Sequence, residues 1–211
     1  MKNIGISLGW NCNSAVHGVK NGIRESKING YKTCPFDEMV SNYPGIIKCI
    51  ETDFKYFCDS NYLEVIKIPD GIEHMNSNGV GEYIIKNKYY NFLFNHESPG
   101  HGDLYKHQKW ENGINHFLEN NFSEFKKRYE RRIDNFRNYL NDINNKIIFI
   151  LHRYDTNKSN INDLIDVLNK NYPNLNYDFY FLDIHYDKKI IKEHLELMGL
   201  DNECDEIKRL Y

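Results

Sequence analysis

The sequence lacks the features that mark several common classes of protein. Its five cysteines, at positions 12, 34, 49, 58 and 204, are odd in number and form no C-x-x-C pair. This pattern argues against a structural zinc site and favours a reducing compartment, so we expect a cytoplasmic protein. No apolar run approaches the ~20 residues that span a membrane, and the N-terminus leads directly into a predicted strand. We therefore expect neither a membrane span nor a signal peptide.

Strong charge of one sign and cofactor motifs are missing too. The net charge is −3 over 211 residues, which gives no general reason to expect nucleic acid. The turn after the first predicted strand has the single glycine Gly9, where phosphate-loop and dinucleotide motifs need two or three. No His-x-x-x-His pattern falls on a predicted helix, and the loose group around His96 and His101 lacks a metal-ligand spacing. We expect no cofactor and no metal.

The chain does contain alternating strand and helix patterns. Apolar and β-branched runs predict strands at 3–8, 63–68, 146–151 and 177–184, and a strand or hairpin over 83–94. Apolar steps of three and four predict helices just after Cys12, from Ser41 to Phe57, over 108–143 with a break near a Ser123 cap, over 160–168, and over 188–198. This alternation predicts one α/β domain over 1–211, with three layers and helices on both faces of a mostly parallel sheet.

Cys12 falls where the turn after the first strand becomes a helix. Free N–H groups and the helix dipole at that point favour a thiolate, so we predict a lowered thiol pKa. A strand, a sharp turn and a nucleophile at a helix N-terminus is also the layout of hydrolase nucleophile elbows. The alternative is that Cys12 is a small hydrophobic residue packed at a strand–helix corner.

A thiolate enzyme needs a base to share the thiol proton and a group that orients this base. Three of the nine histidines, His96, His152 and His185, come at the ends of predicted strands. Sites in parallel sheets form at the carboxyl ends of the strands, which favours His185 with Asp183 two residues before it. Each of these side chains could instead be a polar residue that simply leaves the core.

Five more residues are candidates for supporting roles. Asn11 could present its side-chain amide to an oxyanion, or could be a turn residue. Asp37 could orient a histidine, or could cap the following turn. Arg131 and Arg132 on the long helix could bind a carboxylate or phosphate, and Arg153 could bind a phosphate-bearing ligand. Arg132 follows Arg131 on the long helix, and adjacent helical positions cannot both face inward.

Four short motifs support a comparison with a known family. They are Ser7-Leu-Gly-x-x-Cys12-x-x-Ala15, Pro35-Phe-Asp37, Phe94-x-His96 and Tyr129-x-Arg-Arg-Ile133-x-x-Phe136. In this order, over about residues 4–155, the chain resembles an uncharacterised domain family described as papain-like cysteine peptidases, with members in bacteria and large DNA viruses. The resemblance implies Cys12 as nucleophile, with His96 and Asp37 as its partners. The chain departs from the family pattern at Glu38, where the pattern has Trp.

The resemblance and the alternation imply different folds. A papain-like fold is α+β, whereas the strand before Cys12 fits a doubly wound sheet similar to that of SGNH esterases, with Asp183 and His185 as partners. We favour His96 as the base because of its motif and the apolar strand before it.

The leading hypothesis is a cysteine-dependent hydrolase or acyl transferase that acts on a peptide, isopeptide or ester bond. Its partner would be a peptide or small-molecule substrate. The alternatives are a non-catalytic binding module, with Arg131 or Arg153 holding a sugar or phosphate-bearing ligand, and a glycan-modifying enzyme without a cysteine nucleophile. The sequence does not indicate an oligomeric state.

Overall fold

A computed structural model describes residues 1–70, 72, 83–98, 110–152, 158–184 and 187–200, and the statements below refer to these residues. The elements in chain order are β1 (Lys2–Ser7), α1 (Asn13–Lys20), α2 (Tyr43–Glu51), β2 (Leu63–Lys67), β3 (Tyr83–Asn87), β4 (Phe92–Phe94), α3 (Ser123–Asn141), β5 (Asn145–His152), α4 (Lys158–Asn171), β6 (Tyr177–Leu182) and α5 (Lys188–Met198). Short 3₁₀ helices cover Lys27–Asn29, Pro35–Glu38, Asn95–Glu97 and Gly113–Asn115. The fold is therefore mixed α/β, as predicted.

A parallel three-stranded sheet has the order β1-β5-β6. Ile4 pairs with Ile147 at one interface, and Phe149 pairs with Phe179 at the other. The parallel pairing predicted for these strands is confirmed, with β5 in the centre and β1 at an edge. Alternate residues of β5 face opposite ways, so Ile150 packs against Gly18 of α1 whereas Phe149 joins the main core.

A separate antiparallel sheet contains β2, β3 and β4. The predicted strand over 63–68 therefore pairs antiparallel with β3 and lies outside the parallel sheet. The hairpin predicted over 83–94 is confirmed, and its turn is built by Asn87, whose Oδ1 accepts from the N–H groups of Tyr89 and Tyr90 at 3.0 Å each. So short a connection permits antiparallel pairing, whereas a parallel crossover needs a dozen or more residues.

Two predicted helices are shorter than their apolar patterns. The helix expected to run to Phe57 ends at Glu51, because Asp53 and Phe54 adopt positive φ of 46° and 60°. Its cap is Asn42, whose Oδ1 accepts from the Gly45 N–H at 2.6 Å, so the Ser41 cap was wrong.

The helix predicted over 108–143 begins only at Ser123. Asn121 and Phe122 have φ of 51° and 58°, which breaks the pattern at the expected place. The N-cap residue is Phe122 rather than Ser123, and the Ser123 N–H donates to Asn120 Oδ1 at 3.1 Å. The predicted end of α5 at Gly199 is confirmed by its φ of 78°.

Two apolar clusters meet near the turn after β1. The main cluster joins the parallel sheet to α2, α3 and α4 and is rich in aromatic rings, most of which meet edge-on or tilted. The second cluster holds Trp10 against α5, where its ring meets the His194 ring edge-on with centroids 4.9 Å apart. The turn that leads to Cys12 is thus packed against the C-terminal helix. Within the described residues, none of the helices has the length and apolar character needed to cross a membrane.

Candidate functional site

Cys12 occupies the N-cap position of α1, as the sequence predicts. The turn before it is fixed at both ends, because the Leu8 N–H donates to the Ile150 carbonyl at 2.9 Å and the Ser41 N–H donates to the Trp10 carbonyl at 2.8 Å. Close packing keeps the turn tight as well. A Cβ added at Gly9 would lie 1.6 Å from Ser14 Oγ, so only glycine fits there.

The electrostatic environment of Cys12 differs from the prediction. Burial raises the pKa of the Cys12 thiol above its ordinary 9.0, a backbone hydrogen bond lowers it, and the Glu38 carboxylate raises it again. The predicted decrease in pKa is therefore wrong. Desolvation raises the thiol pKa more than the first-turn N–H groups of this eight-residue helix lower it, so Cys12 is a neutral thiol at rest.

Asn11 contributes to the same turn. Its side chain is buried, and its Oδ1 accepts from the Asn13 N–H at 3.0 Å. This contact is the turn-residue role that the sequence left open. It also fixes the orientation of the amide, whose nitrogen is the donor end that an oxyanion would require.

Glu38 is the residue that the sequence reasoning missed. Its carboxylate accepts from Arg132 Nη2 at 2.5 Å and from Lys27 Nζ, and its side chain is 19% exposed. Burial opposes ionisation of Glu38, but Arg132 and Lys27, helped by His96, outweigh it and lower the pKa to about 2. Glu38 is therefore charged at neutral pH and interacts electrostatically with both Cys12 and His96.

His96 lies in the 3₁₀ helix directly after β4, at the end of the predicted strand. Phe94 before it is fully buried against Phe125 and Tyr129. Glu97 after it is also buried, and its carboxylate pairs with Arg128 Nη1 at 2.5 Å. The backbone that carries His96 is thus anchored on both sides.

Asp37 is fully buried and forms an ion pair with Arg24 at 2.8 Å. The Tyr31 hydroxyl donates to it at 3.0 Å, and the Cys34 N–H donates at 2.7 Å. Burial raises the pKa of Asp37, although Arg24 and these hydrogen bonds lower it in part. These contacts make Asp37 the cap of the turn over 34–38, and its role in orienting a histidine stays a prediction.

The carboxyl ends of β5 and β6 form a second polar group. His152 ends β5 fully buried, and its backbone N–H donates to the Tyr43 hydroxyl at 2.7 Å. Burial, helped by His17 and partly offset by Asp183, lowers the pKa of His152 to about 4. Parallel pairing of β5 with β6 places His152 opposite Leu182, next to Asp183, and His17 of α1 interacts electrostatically with His152. The predicted candidates Arg153 and His185 lie outside the described residues.

The long helix α3 presents only one of its adjacent arginines to the interior. Arg132 is 6% exposed, with its guanidinium carbon 4.7 Å from the centre of the Tyr129 ring, whereas Arg131 is exposed to solvent. The inward residue is thus Arg132 rather than the proposed ligand-binding Arg131. Within the described parts of the chain, His, Cys, Asp and Glu form no group of three that could hold a metal ion.

The chain was compared with family models, curated proteins and solved structures. A family model described as "Putative papain-like cysteine peptidase" matches residues 3–188, a range that contains every candidate residue discussed above. No curated protein and no solved structure matches the chain.

Proposed function

Because the chain belongs to the family described as "Putative papain-like cysteine peptidase", we propose that it is a cysteine-dependent hydrolase, with Cys12 as nucleophile and His96 as general base. The observation that carries the proposal is that Cys12 and His96 interact with the same carboxylate, that of Glu38. Their common interaction with Glu38 supports a single site, because the two residues are 84 positions apart in the sequence. A peptide substrate follows from the family description.

The neutral state of Cys12 determines the order of the proton transfers. A thiol whose pKa is raised by burial attacks a carbonyl carbon only as its proton passes to His96. His96 then gives this proton to the leaving amine or alkoxide, which leaves an acyl group on Sγ. Water, activated by His96, hydrolyses this thioester and regenerates the thiol. An amine in place of water would make the same site an acyl transferase.

The oxyanion of the tetrahedral intermediate needs hydrogen-bond donors beside Sγ. We infer that they come from the first-turn N–H groups of α1 and from the amide nitrogen of Asn11. Asp37 acts in this scheme through the backbone, because its bonds to Tyr31 and Cys34 shape the turn next to α1. The alternative base is His152 with Asp183, at the carboxyl end of the parallel sheet.

We also infer the three-layer arrangement that the sequence predicts. Gly18 of α1 packs on the Ile150 side of β5. Phe149 on the opposite side belongs to the main cluster, which includes Phe136 of α3 and Leu168 of α4. Helices on both faces would place Cys12 at the carboxyl edge of the sheet, as in doubly wound hydrolases.

Hydrolysis of a panel of fluorogenic peptides, isopeptides and thioesters tests the proposal. The wild type is compared with Cys12→Ala and with Cys58→Ser, since Cys58 is also partly exposed and serves as a matched control. We expect Cys12→Ala to abolish turnover and Cys58→Ser to retain it. Full turnover by Cys12→Ala would favour an enzyme without a cysteine nucleophile. Tight binding without turnover in the wild type would favour a binding module.

A further inference from the structure

We propose that Glu38 is a positioning residue of this site, because Arg132 fixes its carboxylate in the neighbourhood that His96 and Cys12 share. This inference rests on the proposed function, since it concerns how the same pair shares a proton. It assigns a role to a carboxylate that lies next to the Asp37 of the Pro35-Phe-Asp37 motif.

Glu38 is held from two sides. The 3₁₀ helix Pro35–Glu38 packs against α1, β1 and α3, and Arg132 of α3 donates from Nη2 to Oε2 at 2.5 Å. The Arg132 side chain is 7% exposed and lies over the Tyr129 ring, so it has little freedom to move away. Lys27 binds the other oxygen, Oε1, with a side chain that is 58% exposed. Arg132 is thus the fixed partner and Lys27 the exchangeable one.

Helix α3 also anchors the backbone of His96. Arg128, one turn before Arg132 on α3, pairs with the carboxylate of Glu97, the residue that follows His96. Two arginines on neighbouring turns therefore hold the Glu38 turn and the His96 turn beside each other. By contrast, the oxygens of Asp37 accept from Arg24, Tyr31 and the Cys34 backbone.

A carboxylate in this place has opposite effects on the two reacting groups. It stabilises a protonated His96 and disfavours a Cys12 thiolate, because like charges repel. The charged and titratable groups around Glu38 come from several elements: Cys12, Lys27, Asp37, His96, Glu97, Tyr129 and Arg132. Since two cations partly offset the charge of Glu38, its effect on each partner is moderate.

Two titrations of a Glu38→Gln variant test the inference without a known substrate. The first follows the rate of Cys12 alkylation by iodoacetamide against pH, with peptide mass spectrometry identifying the site. The second follows the His96 ring by NMR. We expect both midpoints to move to lower pH by about half to one unit, so alkylation at neutral pH becomes roughly three- to tenfold faster. A general loosening of the fold would also expose Cys12 and speed its alkylation, so the His96 midpoint in the same folded variant is the distinguishing readout.

Three further variants make the test decisive. Glu38→Asp keeps the charge and should restore both midpoints toward the wild type. Lys27→Met removes an exposed cation and should move the Cys12 midpoint to higher pH, opposite to Glu38→Gln. Glu51→Gln makes the same substitution on the exposed face of α2 and should change neither midpoint.

The outcomes separate this inference from the proposed function. Unchanged Cys12 and His96 midpoints in a folded Glu38→Gln variant would overturn the role of Glu38, even if Cys12→Ala is inactive. If Glu38→Gln does not fold, Lys27→Met decides, and an unchanged Cys12 midpoint overturns the inference. Turnover retained by Cys12→Ala would instead overturn the proposed function.

Discussion

Replacing Gly9 by alanine should disrupt the turn that presents Cys12, and a second substitution should repair it. The new Cβ would lie 1.6 Å from Ser14 Oγ and 2.3 Å from Ser14 Cβ. Ser14 Oγ could rotate about χ1, but Ser14 Cβ is fixed by the backbone in the first turn of α1, so the 2.3 Å contact remains. Overpacking of this kind costs about 1–3 kcal/mol of unfolding free energy. We expect Gly9→Ala to lose at least that much.

Ser14→Gly should relieve the clash, because the nearest atom left would be Ser14 Cα at 3.7 Å, an ordinary contact. Ser14 Oγ has no hydrogen-bond partner among the described residues, so this substitution costs only about 0.5 kcal/mol of helix propensity. The double variant should therefore be about as stable as Ser14→Gly alone. Its coupling energy should be about 1–3 kcal/mol in favour of the pair.

Urea denaturation of the four proteins, followed by circular dichroism, measures this cycle. Gly18→Ala on the same helix is the control, because its Cβ would meet the flexible end of Ile150, at Cδ1, and should cost less. If the two single effects simply add, within about 0.5 kcal/mol, the close approach of Gly9 and Ser14 does not determine the turn.

Three other predictions concern polar side chains. Arg24→Met leaves the Asp37 carboxylate buried without its cation and should cost about 3–5 kcal/mol in chemical denaturation, and a second change, Asp37→Asn, should recover part of the loss; a cost below about 1 kcal/mol would contradict the buried ion pair. Because burial lowers the pKa of His152 from 6.5 to about 4, the folded state resists protonation, so stability should fall by about 3 kcal/mol as pH drops through that range. His152→Gln should lack this acid-induced loss, and an equal loss in the variant would refute the assignment. Asn42→Ala removes the cap of α2 and should lower the unfolding free energy by about 0.5–2 kcal/mol, whereas no change in the melting curve would refute the capping role.

Local patterns predicted the elements well, and tertiary contacts determined the rest. Cys12 at a helix start and His96 at a strand end follow from residues close in sequence. The C-terminal end of α2 could not be predicted in this way, because Asp53 and Phe54 have positive φ values that apolar spacing does not indicate. The partner of strand 63–68 could not be predicted from local sequence either, since its apolar run suits a parallel or an antiparallel neighbour.

Glu38 was missed for the same reason. Its importance comes from an ion pair with Arg132, 94 positions away, and no local pattern marks such a pair. The sign of the Cys12 pKa shift was also beyond the sequence, because the position of Cys12 at a helix start indicates the dipole but not the burial. The Tyr129-x-Arg-Arg motif offered the available signal, since a single inward arginine on an aromatic helix face needs a carboxylate.

The most direct test of the central claim is to trap the acyl group. The protein is incubated with an activated ester such as p-nitrophenyl acetate, quenched in acid and mapped by peptide mass spectrometry. The account predicts an acetyl thioester on Cys12, formed much more slowly in His96→Asn and absent in Cys12→Ala. Acylation spread equally over the other cysteines, or unchanged in His96→Asn, would contradict it.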